Sequence, residues 1–336
     1  MSSKEQAANT NQDNGQIQSI EELRAAVAEL RRDVRSLEDR TFIGDILDSS
    51  SRDSGIPAGH TDAFHGGALY DETRNMIISV SQDSNKCRDV HVTHLGDRRT
   101  EVRKNIIPFD CQFRVPMYDG QRFVYFTERA RDNDDSVCGR RFGRMDLESL
   151  TFEELPPLPA EPFKTFAGTF HGCYHHGVIF MSDDECQICG YDIESGVWRR
   201  YGITLPIEGE RWKHGTLLSD PNDEHHLYLL GSYSKPGLYR IDFKSFTCTL
   251  LSLTPGTVKC YDAVLVRSRP ESSMFAIVAK TGEKWHMYSS KSNKWKALDW
   301  KGPGISWSRD FLVYCQKTKT FYYHIHGQPT WEMVQL

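Results

Sequence analysis

Arg211-Trp212-Lys213-His214-Gly215-Thr216-Leu217-Leu218-Ser219 opens the stretch that decides the fold. Asp220-Pro221-Asn222-Asp223 follows as a turn cluster, and Leu227-Tyr228-Leu229-Leu230-Gly231 as a second apolar run. A third run, Leu238-Tyr239-Arg240-Ile241-Asp242, leads through a polar turn to Phe246-Thr247-Cys248. Short runs rich in strand formers, each bounded by Gly, Pro, Asn or Asp, read as four strands in a meander.

The same unit recurs on both sides. Innermost strands are expected at 64–70, 113–118, 170–174, 212–218, 261–266 and 307–314, each opening near an aromatic residue. Second strands are expected at 76–80, 123–126, 178–181, 227–230, 274–278 and 321–325. The turn after the third strand repeats most clearly. Asp146-Leu147-Glu148-Ser149, Asp192-Ile193-Glu194-Ser195 and Asp242-Phe243-Lys244-Ser245 align with Ser289-Ser290-Lys291-Ser292. The aspartate can accept backbone N–H bonds in a tight turn. Six residues later Phe152, Trp198, Cys248 and Trp295 occupy one position, where the large side chains would fill the space between sheets. A meander repeated six times predicts an all-β fold, a six-bladed β-propeller of four-stranded blades over 60–336.

This pattern resembles the kelch repeat. Asp192 and Trp198 keep the aspartate-to-tryptophan spacing of kelch blades, and Ser289 and Trp295 keep it with the aspartate replaced. Leu155-Pro156-Pro157-Leu158-Pro159 and Leu205-Pro206 resemble the proline-bearing exits of such blades. The glycine doublet that closes the second strand in that family is reduced here to Gly231. The resemblance implies architecture and transfers no function, because propellers host many.

The last unit holds too few residues for four strands. The segment before the propeller, 42–59, is therefore expected to be a linker that supplies a closing strand and removes the free sheet edge. Phe42–Leu47 is a possible strand within it. Residues 1–18 are polar and read as a disordered tail. Between them, 19–41 reads as a short coiled-coil-like helix. Ser19 and Glu22 have the spacing of a capping box. Ile20, Leu23, Val27, Leu30, Val34 and Leu37 step by three and four, with β-branched residues at a and leucines at d, which favours parallel two-stranded coils. Asp33 at g opposite Glu38 at e of a partner is a like-charge pair against it. Two readings stay open: self-association through this seam, or one amphipathic helix lying on the propeller.

Composition bounds the function. The 336-residue chain has a net charge of -5, which gives no broad attraction to nucleic acid or anionic membrane. Met1-Ser2-Ser3-Lys4-Glu5 starts no secretory h-region, and no run has the length to span a bilayer. Nine cysteines, an odd number scattered through strands, suit free thiols in a reducing compartment, cytoplasmic or nuclear.

One polar position recurs near the start of the innermost strands: His65, Arg114, His171, His214, Asp262 and Arg309. In a propeller these gather at one channel mouth, either as a partner-binding face or as polar caps on strand ends. No metal site or cofactor is expected. Three histidines on separate blades do not readily converge on one ion, and Cys186 and Cys189 are three apart, pointing to opposite faces of a strand. The insert 128–144 mixes Arg129, Arg131 and Arg140 with Asp132, Asp134 and Asp135, and reads as a solvated loop. No phosphate-cradling loop or nucleophile elbow is present. The expected function is an intracellular, non-enzymatic scaffold or adaptor. It would bind a partner protein or peptide at the mouth and pair through the helix as a homodimer. Alternatives are a hydrolase- or lyase-like propeller enzyme and a ubiquitin-ligase substrate receptor.

Overall fold

Six antiparallel sheets of four strands follow one another in chain order. They are seen in a computed structural model describing residues 3–58, 67–83, 86–109, 117–128, 140–159, 172–182, 187–205, 216–231, 236–256, 258–269, 271–281, 284–300, 311–325, 328 and 330–336. Over 3–19, 81–83, 86–87, 258–262, 182 and 311 the description is of the backbone.

The chain begins with helix α1, Ser3–Asp48, and strand β1, Arg52–Pro57. Blade 1 holds β2 Ala68–Asp71, β3 Met76–Asp83, β4 Lys86–His94 and β5 Arg99–Arg103. Blade 2 holds β6 Met117–Tyr118, β7 Phe123–Thr127, β8 Phe142–Asp146 and β9 Phe152–Leu155. Blade 3 holds β10 Cys173–His175, β11 Val178–Ser182, β12 Gln187–Asp192 and β13 Val197–Thr204. Blade 4 holds β14 Thr216–Ser219, β15 His226–Leu230, β16 Leu238–Asp242 and β17 Thr247–Ser252. Blade 5 holds β18 Val258–Val266, β19 Ala276–Thr281, β20 Lys284–Ser289 and β21 Lys294–Ala297. Blade 6 holds β22 Phe311–Cys315, β23 Thr320–His324 and β24 Thr330–Gln335, with β1 pairing antiparallel to β24 as its outer strand.

Ring closure thus joins the two ends of the domain, β1 from before the ring completing the sheet that β24 would otherwise end. Ser54 fixes the seam: its Oγ donates to the Trp331 carbonyl at 2.5 Å and accepts from Ile56 N–H at 3.0 Å. The closing strand is 52–57; Phe42–Leu47, expected as a possible strand, is helix instead. Phe42 and Ile46, and likewise Ile43 and Leu47, are four apart, so in a helix each pair meets on one face. All four pack into the core between blades 5 and 6. The helix also begins before the expected Ser19, taking in most of the stretch read as a tail. No proline interrupts 3–48, and its Ala, Gln, Glu and Arg content suits helix.

The third-strand turns explain the repeat. Asp146 Oδ1 accepts from the Glu148 N–H at 2.8 Å, Asp192 Oδ1 from the Ser195 N–H at 2.8 Å, and Asp242 Oδ1 from the Lys244 N–H at 2.7 Å. Four residues after the aspartate, or after Ser289, the backbone turns left-handed, at Leu150, Gly196, Phe246 and Asn293, with φ between 52° and 68°. Trp198 then reaches across the blade boundary, its ring 5.2 Å from that of Phe142 in blade 2.

Candidate functional site

The innermost strands β2, β6, β10, β14, β18 and β22 surround the axis, and their starting ends share one face. Of the six expected mouth residues, His65, Arg114, His171, His214 and Arg309 lie outside the described residues. Asp262 lies in β18, where the backbone alone is described. Cys186 and the insert from 129 to 139 also lie outside.

At the finishing ends of the same strands, polar side chains among the described residues link five of the six blade junctions. Tyr118 Oη donates to Asp71 Oδ1 at 3.1 Å, joining blades 2 and 1. His175 Nδ1 meets Ser219 Oγ at 3.0 Å, joining blades 3 and 4. Arg267 Nε donates to Asp220 Oδ1 at 3.0 Å, with a second short contact through Nη2, joining blades 5 and 4. Gln316 Nε2 donates to the Arg267 carbonyl at 3.2 Å, and Cys315 Sγ lies 3.0 Å from Tyr70 Oη. Asp71 and Asp220 are fully buried. Burial holds the His175 imidazole down near pKa 4, with His176 adding to the effect, so it is neutral at physiological pH. The aspartates at the ends of two innermost strands, Asp71 closing β2 and Asp220 just after β14, were the sequence signal for this belt. At this end the polar side chains bond neighbouring blades.

Helix α1 supplies the other candidate surface. Ile20, Leu23, Val27, Leu30, Val34 and Leu37 are each 40–65% exposed. Every residue from 20 to 35 is exposed, so this part of the helix does not lie on the propeller. It extends about 25 Å beyond its root. The root is fixed by Phe42 and Ile46 in the core of blades 5 and 6. Asp39, also buried, accepts hydrogen bonds from Ser272 Oγ at 2.8 Å and from Ser268. These contacts come from the loop after β18, on the face opposite the starting ends of the innermost strands.

The buried root residues Asp39, Phe42 and Ile46 and the apolar seam lie about 120° apart around the helix, given 3.6 residues per turn. Docking therefore leaves the seam facing away from the propeller. Glu38, the carboxylate that disfavours parallel pairing, forms an ion pair with Arg269 of its own propeller. That counter-charge weakens its repulsion toward Asp33 of a second copy.

Among the described residues no group of three or more metal-ligating side chains comes together. Cys173, Cys189, Cys248 and Cys315 are free thiols. Cys173 packs toward blade 4 and Cys189 toward blade 2, so they do not converge. Burial pushes the Cys248 thiol up to about 12, away from reactivity. Among the described residues no helix is long and apolar enough to cross a membrane.

No protein-family model and no curated protein matches the chain. Solved structures do match its fold. One is a protein of unknown function from Bacteroides thetaiotaomicron, 10% identical with TM-score 0.57, the match covering 86% of this chain and 76% of that one. Another is an auxiliary nutrient binding protein from the same organism, 10% identical with TM-score 0.56, covering 82% and 69%. Likeness at this identity shows the fold: a six-bladed β-propeller, here carrying an N-terminal helix.

Proposed function

We propose that this chain is a non-catalytic protein-interaction scaffold of kelch-like kind. Its helix joins two copies in parallel, and its channel mouth, with His65, Arg114, His171, His214, Asp262 and Arg309, holds a protein or peptide partner. The observation that carries the reading is the apolar seam of α1, exposed along its length on a helix whose root is fixed. Exposed apolar side chains at heptad spacing gain stability by packing against a matching seam, and a second copy supplies one. Ile and Val at a with Leu at d support two parallel strands. Both propellers would then sit at one end of the pair, which raises effective affinity for a multivalent partner. Buried free thiols support a reducing compartment, cytoplasmic or nuclear.

Energy transfer between donor- and acceptor-labelled full chains tests the pairing. Mixed wild-type chains should give a concentration-dependent signal. Leu23→Glu with Leu30→Glu, both exposed and outside the propeller core, should abolish it. An undiminished signal in the double variant would place any association elsewhere.

A further inference from the structure

A cleft of about 200 Å³ lies between the root of α1 and strands β20 and β21. Ile43, Leu47 and Met287 give it an apolar lining. Arg40, Lys291, Lys294 and Lys296 form the rest of the wall with Ser289 and Ser292, and among the described residues no carboxylate lines it. This is a cationic pocket on a chain whose net charge is -5. None of the three lysines has a carboxylate partner among the described residues. Its volume exceeds the roughly 150 Å³ cavity that accepts a benzene-sized ring, so one large apolar side chain fits.

The repeat changes where it builds this wall. The third-strand turns of blades 2 and 3 carry two carboxylates each, Asp146 with Glu148 and Asp192 with Glu194. In blade 5 the same turn reads Ser289-Ser290-Lys291-Ser292-Asn293-Lys294 and carries none. Asn293 keeps the left-handed turn at φ 52°, and its Oδ1 accepts from Tyr288 Oη at 2.8 Å. The hairpin is thus retained while its charge is inverted.

We propose that this cleft docks an acidic peptide segment of a partner protein, with one apolar residue anchored against Ile43, Leu47 and Met287. The flanking carboxylates pair with Lys291, Lys294 and Lys296 at the rim. Because the helix root forms one wall, a bound segment contacts helix and propeller together. The inference rests on reading the chain as a binding module, but not on its pairing.

Fluorescence anisotropy with a short labelled peptide tests it. The probe carries Glu and Asp on both sides of a single Leu, and the protein is the full chain. Saturable binding that weakens with added salt is expected. Replacing the probe's acids by Gln and Asn, or its Leu by Ser, should each weaken binding about tenfold or more. Lys294→Glu with Lys296→Glu, both exposed, should do the same while leaving the fold intact by circular dichroism. Leu23→Glu with Leu30→Glu should bind like wild type, which separates failure here from failure of pairing. Absence of saturable binding overturns the proposal. Equal binding by the charge-reversed variant also overturns it, as does binding to phosphatidylserine vesicles with none to the peptide.

Discussion

Replacing Ile46 by alanine should loosen the root of α1 while leaving the propeller folded. Ile46 is fully buried, in one cluster with Trp285, Trp300 and Tyr323. Those rings pack on one another: Trp300 stacks on Tyr323 at 5.9 Å between centroids, and Trp285 lies 5.9 Å from Trp300. A wall of interlocked rings cannot collapse into the vacated space. The cost therefore falls above the floor of the large-to-small range, at about 3–4 kcal/mol. Phe42 and the Asp39 hydrogen bonds still hold the root, so the loss appears as easier local opening. Amide protection over 42–48 should fall by about a hundred- to a thousand-fold. Protection in β15 and β16, on blade 4, should not change. Native-state hydrogen exchange read by mass spectrometry compares the two regions in one sample. Unchanged protection at the root would refute the claim that Ile46 anchors it. An equal loss in both regions would show instead that root and ring unfold as one unit.

Other outcomes follow from the same contacts. Asp220→Ala strips the buried Arg267 of its carboxylate and should cost about 3–5 kcal/mol in urea unfolding. His175, held neutral by burial, lowers stability as pH falls. The unfolded histidine takes its proton near pH ~6.5 and the folded one only near 4, so stability is full above that window and lost across it. His175→Gln should flatten the loss between those values, as measured by unfolding at stepped pH. Phe246 is exposed and left-handed at φ 54°, so Phe246→Gly should raise stability by roughly 0.5–1 kcal/mol, seen as a higher unfolding midpoint.

Much of the ring was legible because its turns are local chemistry. An aspartate that binds its own turn, followed by a left-handed residue, repeats where the third strand meets the fourth in blades 2, 3 and 4. Incompleteness of the last unit pointed to a closing strand from before the propeller. The segment 42–59 does supply it, at Arg52–Pro57, while Phe42–Leu47, a possible strand, is helix because its apolar residues sit four apart. The heptad seam was visible, but the side of the helix that docks was not. Asp39 lies over 200 positions from both Ser268 and Ser272, and no local pattern links it to them. The interblade belt was overlooked for a similar reason: each of its pairs joins residues from different blades, such as Asp220 and Arg267. The cationic cleft is formed by a repeat that departs from its own rule, at Ser289, and acquires meaning once the helix is placed beside it.

Sedimentation equilibrium of the intact chain tests the pairing most directly. With the α1 seam joining two copies, the weight-average mass approaches twice the 38.6 kDa of one chain as concentration rises. A single 38.6 kDa species across the whole range, up to tens of micromolar, would contradict it.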